Sequence, residues 1–163
     1  MRAAFRTETE RSGREWKEPE PGPGEALVAL TKVGICGSDV HFAIDGTAKT
    51  RFLPIVLGHE PAGRVEALGP DTEGPAPGTR VAIIPLVSCM ECDACLAGRT
   101  VICKHNECLG AEREGAWADL ISVPVRNLIE LPDNLGDELS AVATDSVATA
   151  YHAGADSDAF KTA

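Results

Sequence analysis

The sequence predicts a mainly β, turn-rich fold that closes on one C-terminal helix, and three observations carry that expectation. Glycine (16 residues) and proline (11) are spread along the 163-residue chain, so turns interrupt it at short intervals. Aromatic residues make up only 4% against 44% apolar residues in all, which leaves aliphatic side chains to fill the core of about one domain. Apolar positions form strand-like runs until about Asp137 and only then take up helical spacing.

Taken in order, Arg2 to Arg6 is short and mixed enough for an edge strand. Pro19, Pro21, Gly22, Pro23 and Gly24 form a stiff turn before Glu25 to Gly34, a strand that runs straight into a loop at Cys36. Ser38 and Asp39 are placed to cap a short helix over 39–44, which turns His41 toward the pocket of Cys36. Phe52 to Leu57 leads into Gly58-His59-Glu60, and Gly63 to Gly69 follows as a strand ended by Pro70. Residues 70–79 read as a surface turn, and Arg80 to Val87 is the most apolar strand. A cysteine-rich lobe covers 88–108, and Ala116 to Val123 and Asn127 to Leu131 are two further strands. Leu139, Val142, Ser146, Thr149 and Ala150 then fall at helical spacing, giving one helix to about Ala153.

Charge and targeting signals narrow the function. Fifteen basic against 25 acidic residues give a formal charge of -10, which argues against nucleic acid or an anionic membrane as partner. The N-terminus has no apolar signal region, and no apolar run approaches the ~20 residues that span a bilayer. Six cysteines without such a signal point to a reducing compartment and to metal rather than disulfides, so a cytoplasmic protein is expected.

Cys89, Cys92 and Cys95 are separated by two residues each, and Cys103 follows after seven. A Cys-x-x-Cys turn points both sulfurs at one centre, and a fourth thiolate closes a tetrahedral zinc site with no open position. Such a site folds a loop that has no core of its own. A disulfide cluster or a redox Cys-x-x-Cys are the competing readings, and three cysteines in strict register weigh against both. Cys108 is left over as a small free thiol.

A second group lies in Val33 to Glu60, where Cys36, Ser38, Asp39, His41, His59 and Glu60 are close in sequence. Thiolate, imidazole and carboxylate are the donors of a catalytic zinc, which needs three protein ligands and one open position. Cys36 and His59 supply two. Asp145 is the choice for the third, because it stands alone among small and apolar residues where an unpaired charge is costly; an exposed helix carboxylate is the bland alternative. Glu60 is either an exchangeable ligand or a supporting group. Asp39 suits the other ring N–H of His59. Ser38 and His41 are placed to carry a proton toward solvent, although a histidine alone is more often a surface residue. A zinc so held polarises an alcohol or carbonyl oxygen, which serves hydride transfer, hydration or hydrolysis alike.

Together, Gly34-Ile-Cys-Gly-Ser-Asp-Val-His41, Gly58-His-Glu60, the lobe of Cys89, Cys92, Cys95 and Cys103, and Thr144-Asp-Ser-Val-Ala-Thr-Ala-Tyr-His152 resemble the zinc-dependent alcohol dehydrogenases of the medium-chain dehydrogenase/reductase family. The resemblance runs through residues 1–153 and implies a GroES-like β-barrel catalytic domain, with 88–108 as its structural zinc lobe and 154–163 as a tail or junction. It implies two zincs per chain. Cys36, His59 and Asp145 would hold the catalytic one with Glu60 adjacent, the four lobe cysteines the structural one, and Ser38 and His41 match the family's relay positions. Many members carry cysteine where this chain has Asp145. Members also continue into a Rossmann domain that binds NAD or NADP, whereas this chain has no Gly-x-Gly-x-x-Gly and no βαβ series, so a catalytic-domain fragment is expected. The implied activity of the complete enzyme is NAD(P)-linked oxidation of a secondary alcohol or polyol, or reduction of the matching ketone or aldehyde. A stand-alone zinc hydrolase or lyase and a non-catalytic zinc-stabilised barrel are the alternatives. Homo-oligomerisation is left open.

Overall fold

Strand pairing in this chain is antiparallel throughout the named strands, and it was traced in a computed structural model that describes residues 1–7 and 11–156. The strands in chain order are β1 (Arg2–Arg6), β2 (Arg11–Glu15), β3 (Glu25–Gly34), β4 (Ile55–Val56), β5 (Glu60–Leu68), β6 (Arg80–Ile83), β7 (Leu86–Val87), β8 (Glu107–Cys108), β9 (Leu120–Pro124) and β10 (Leu128–Glu130). The helices are α1 (Gly37–Val40), α2 (Asp93–Leu96), α3 (Asp137–Val142) and α4 (Ala148–Asp156), with wide π-helical turns over His41–Asp45 and Ala143–Val147.

A five-stranded sheet in the order β10-β6-β5-β3-β9 forms the body, beside a three-stranded sheet β2-β1-β4 and the small pair β7-β8. Strand β3 holds the larger sheet together because Ala26 and Val28 alternate inward along it, matching the period-2 pleat. Val28, Val65, Val81, Ile83, Val87, Leu109, Ala116, Ile121 and Val123 make the core. That core is wholly aliphatic, as the scarcity of aromatic residues requires.

Several boundaries differ from the sequence reading, each for a physical reason. Strand β1 is central, since β2 and β4 pair on its two sides; β2 is charged and lacks the alternation that would announce a strand. Arg80 to Val87 is two strands because Pro85 interrupts the ladder between β6 and β7. The first helix begins at Gly37, with Cys36 rather than Ser38 or Asp39 in the capping position. The C-terminal helix bears a π turn at 143–147 and runs to Asp156, so the first residues of the expected 154–163 tail continue the helix; residues 157–163 lie outside the described part of the chain. Among the described residues no helix is long and apolar enough to cross a membrane.

Helix α3 lies on β3 and β5, and the small buried residues Ser140 and Ala141 let it sit close. Its first residue ties it down: Asp137 accepts hydrogen bonds from Arg80 Nε at 3.0 Å and from Thr31 Oγ1 at 2.8 Å. The Arg80 guanidinium, then Thr31, hold the Asp137 carboxyl below its ordinary range. Asp137→Ala is therefore expected to destabilise the fold by about 1–3 kcal/mol, the cost of stranding a half-buried charged partner. A carboxyl depressed on folding stabilises above its unfolded pKa of about 3.9 and loses that effect as pH falls below it. Urea denaturation at pH 7 and pH 3 checks this, the gap between wild type and variant narrowing at the lower pH.

Candidate active site

The register of two strands creates the site. Gly34 at the end of β3 pairs with Glu60 at the start of β5, so Cys36 and His59 meet just beyond the paired ends. Glycine is required at 34: a Cβ there would stand 2.2 Å from Glu60 Oε2 and 3.0 Å from Val142 Cγ1. It is also required at 58, where φ is +89° and the Trp117 ring packs against the backbone. Between them these two glycines allow the chain to bring His59 into the interior, where it is 5% exposed.

The third component arrives from the other end of the chain. Helix α3 carries the π turn over the site, and Asp145 within that turn places Oδ2 3.2 Å from His59 Nε2. One donor atom each from Cys36, His59 and Asp145 then lies within 4.8 Å of the others. A tetrahedral zinc with bonds of about 2.0–2.3 Å separates its ligands by roughly 3.3–3.8 Å, so small side-chain adjustments suffice to close on an ion.

The neighbours orient these three. Asp39 is 2% exposed; its Oδ2 accepts from the Cys36 backbone N–H at 2.9 Å, and its Oδ1 lies 3.4 Å from His59 Nδ1. Asp39 beside Nδ1 pushes the imidazole up to about 9 against the opposing effect of burial, with Cys36 and Asp145 adding to the rise. A proton kept on Nδ1 leaves the Nε2 lone pair facing the cleft, free to ligate a metal. Ser38 Oγ stands 3.3 Å from that same Nε2. On α4, Thr149 Oγ1 donates to Asp145 Oδ1 at 3.0 Å, which leaves Oδ2 turned toward His59. Asp39→Asn is expected to weaken metal binding here about 10–100-fold, the usual effect of losing a group that orients a ligand histidine; competition with a chelator measures it.

Two of the residues singled out from sequence stand apart from this triad. Glu60 is 1% exposed and its Oε1 accepts from the Ser146 backbone N–H at 3.0 Å and from the Ser146 hydroxyl, so it supports the π turn below the site. His41 faces outward, its Nδ1 2.9 Å from Asp45 Oδ2 and 3.0 Å from Thr47 Oγ1. Ser146 and Thr149 were read from sequence only as positions on the helix and not as site residues, although Thr149, four residues after Asp145, is its neighbour on the helix surface. A cleft of about 600 Å³ opens onto His59, Asp145 and Ser38, with Cys108 in its wall. Burial pushes the Cys108 thiol up to about 12, the nearby carboxylates adding to the rise, so it stands as the inert thiol its isolation in sequence suggests.

The lobe brings its four sulfurs together. Cys89 and Cys103 Sγ are 3.4 Å apart, Cys92 and Cys103 3.8 Å, and Cys89 and Cys95 3.9 Å. A zinc–sulfur bond of about 2.3 Å gives a tetrahedral edge of roughly 3.8 Å, whereas a disulfide needs about 2.05 Å. All six cysteines are free. The Cys95 backbone N–H leads in lowering the Cys92 thiol to about 6, while burial pushes Cys95 up to about 12. Four crowded sulfurs share protons unevenly in this way unless a cation displaces them.

Residues 22–133 match the family described as the alcohol dehydrogenase GroES-like domain. An L-threonine 3-dehydrogenase of Aeromonas hydrophila subsp. hydrophila is 39% identical over 126 residues, covering 76% of this chain and 37% of the relative. The crystal structure of an NAD-dependent alcohol dehydrogenase is 36% identical with a TM-score of 0.86, covering 93% of this chain and 46% of that one. The cobalt- and zinc-bound thermostable alcohol dehydrogenase of Pyrobaculum aerophilum is 28% identical with a TM-score of 0.81, covering 88% of this chain and 44% of that one. The chain thus spans less than half the length of each of these proteins.

Proposed function

Since the chain belongs to the alcohol dehydrogenase GroES-like domain family, we propose that residues 1–153 are the zinc-binding catalytic domain of an NAD(P)-linked alcohol dehydrogenase, built as a GroES-like barrel. The carrying observation is the convergence of Cys36, His59 and Asp145 beside an open cleft of about 600 Å³. Thiolate, imidazole and carboxylate fit zinc as a donor set, and the four lobe cysteines fit a second, structural zinc. When bound at the first site, the ion supplies the Lewis acidity that lowers the pKa of an alcohol oxygen.

This chain's own residues do the rest. Asp39 fixes the tautomer of His59, and Thr149 turns one oxygen of Asp145 inward. Ser38, in the lining of the cleft, accepts the proton released by the alcohol as it hands its own hydroxyl proton on toward His41. His41, exposed and anchored on Asp45, passes it to solvent. Among the described residues no hydrogen bond joins Ser38 to His41, so the transfer between them runs through water. Glu60 holds the π turn in place through Ser146. The hydride acceptor is NAD or NADP, and a reducing, cytoplasmic setting is consistent with six free cysteines.

Metal analysis tests the reading. The chain purified with zinc is expected to hold two equivalents, and to show no turnover of esters or aldol substrates without a nicotinamide cofactor. A single equivalent confined to the cysteine lobe, or cofactor-free hydrolysis abolished by Cys36→Ala, would overturn it.

A further inference from the structure

We infer that Asn106 is a positioning residue for the cleft, clamping the turn of the cysteine lobe that forms one of its walls and so passing order at the four sulfurs to the site of Cys36, His59 and Asp145; this rests on the proposed function for the metal at each site. Ser88, Thr100 and Val101 of the lobe line the cleft together with His59 and Asp145. A guest held at Asp145 therefore has lobe residues beside it, and their placement bears on how tightly it is gripped.

The wall itself is a short 3-10 turn, Thr100–Ile102, in which the Cys103 N–H reaches back to the Thr100 carbonyl at 3.0 Å. A turn of this length holds its shape weakly unless other groups bind its carbonyls. Asn106 does so: its Nδ2 donates to the Thr100 carbonyl at 3.2 Å and to the Val101 carbonyl at 3.1 Å. Its Oδ1 stands 2.7 Å from Ser88 Oγ, whose proton goes there or to the Thr100 carbonyl at 3.0 Å. One carboxamide thus ties three cleft-lining residues together. It grips backbone at Val101 and leaves that side chain 68% exposed, so the apolar surface can meet a guest.

This clasp is interleaved with the sulfur ligands. Ser88 immediately precedes Cys89, the turn ends against Cys103, and the Asn106 N–H donates to the Cys103 carbonyl at 3.4 Å. A metal that fixes Cys89 and Cys103, whose sulfurs are 3.4 Å apart, fixes both ends of the clasp. The side toward the main sheet is held as well. Arg126 Nη2 donates to the Ser88 carbonyl at 3.0 Å, and buried Asn127 donates from Nδ2 to the carbonyls of Ile84 and Leu86 at 2.8 and 2.9 Å. With the carboxamide cut or the lobe metal gone, the Thr100 turn is the part of the wall left able to move.

The test uses the 163-residue chain loaded with cobalt in place of zinc. A four-sulfur site has no open position, so a change in visible absorption on adding a ligand reports the Cys36 site alone. Two probes of different reach are titrated: imidazole, which needs only the open metal position, and 4-phenylimidazole, whose ring must also lie against the cleft wall. Asn106→Ala is expected to weaken 4-phenylimidazole by about fivefold or more while imidazole stays within about twofold, since general damage to the fold or the metal would move both alike. Asn106→Asp keeps the shape of the side chain but turns its donors into acceptors facing two carbonyls, and should weaken 4-phenylimidazole at least as far. Cys103→Ser, which acts on the sulfurs and not on the clasp, is expected to reproduce the same split. Equal changes in the two probes, or 4-phenylimidazole bound as tightly as by the wild type in any of the three variants, overturns the inference and leaves the proposed function standing. A wild-type chain that takes up only one metal equivalent overturns both.

Discussion

Replacing Asp145 with alanine is expected to leave the chain with one equivalent of zinc where the wild type holds two. Asp145 is one of only three protein donors at its site, and a buried imidazole and a thiolate alone make a poor grip on an ion that prefers four ligands. Loss of a ligand should exceed the ~10–100-fold penalty known for groups that merely orient one, so the site empties during dialysis against a weak chelator. The fold should survive. Asp145 is partly exposed on a helical turn, and alanine is the better helix former at such a position. Elemental analysis and a thermal melt on the same sample decide the matter: two zincs retained, or one zinc with a collapsed melt, would sink the assignment of Asp145 as a ligand.

Cys103→Ser should remove the other zinc and melt the lobe while sparing the first site. Between β7 and β8 the chain has only α2 and a short 3-10 turn, and it leaves Met90, Leu96, Val101 and Ile102 at least 48% exposed. No apolar core holds that segment, so metal coordination supplies its folding free energy. Affinity should fall by more than about a hundredfold. Unfolding stays local because β7 pairs with β8, and Leu109 and Val87 remain in the main core. Limited proteolysis is expected to cut the variant within 88–108, and cobalt loading should still show the Cys36 site. A lobe as resistant to protease as the wild type would mean that the four sulfurs converge without needing an ion.

Much of this was legible in the chain itself, for identifiable reasons. The four-cysteine lobe could be read because the Cys-x-x-Cys repeat is local, and a turn of that length can point its sulfurs only one way. Strand β3 could be read because its apolar run Ala26 to Leu30 follows directly on a Pro/Gly-rich turn. Strand β2 could not, since a charged edge strand is defined by its partner and not by its own side chains. The π turn at 143–147 was equally hidden, because one extra residue in a helical turn leaves the apolar spacing almost unchanged.

The donor types at the candidate site were likewise written in the sequence: a cysteine, a histidine and an acid each stand where packing offers no use for them. Tertiary structure alone decided how they are arranged. The Gly34–Glu60 register brings Cys36 to His59, and the seat of α3 on β3 and β5 brings Asp145 from far along the chain to both. It also sent His41 to the surface and bound Glu60 to Ser146. Local chemistry can be read from residue type and spacing because it acts within a few residues. Distances between remote side chains depend on strand register and helix seating, which only the summed packing of the whole core sets.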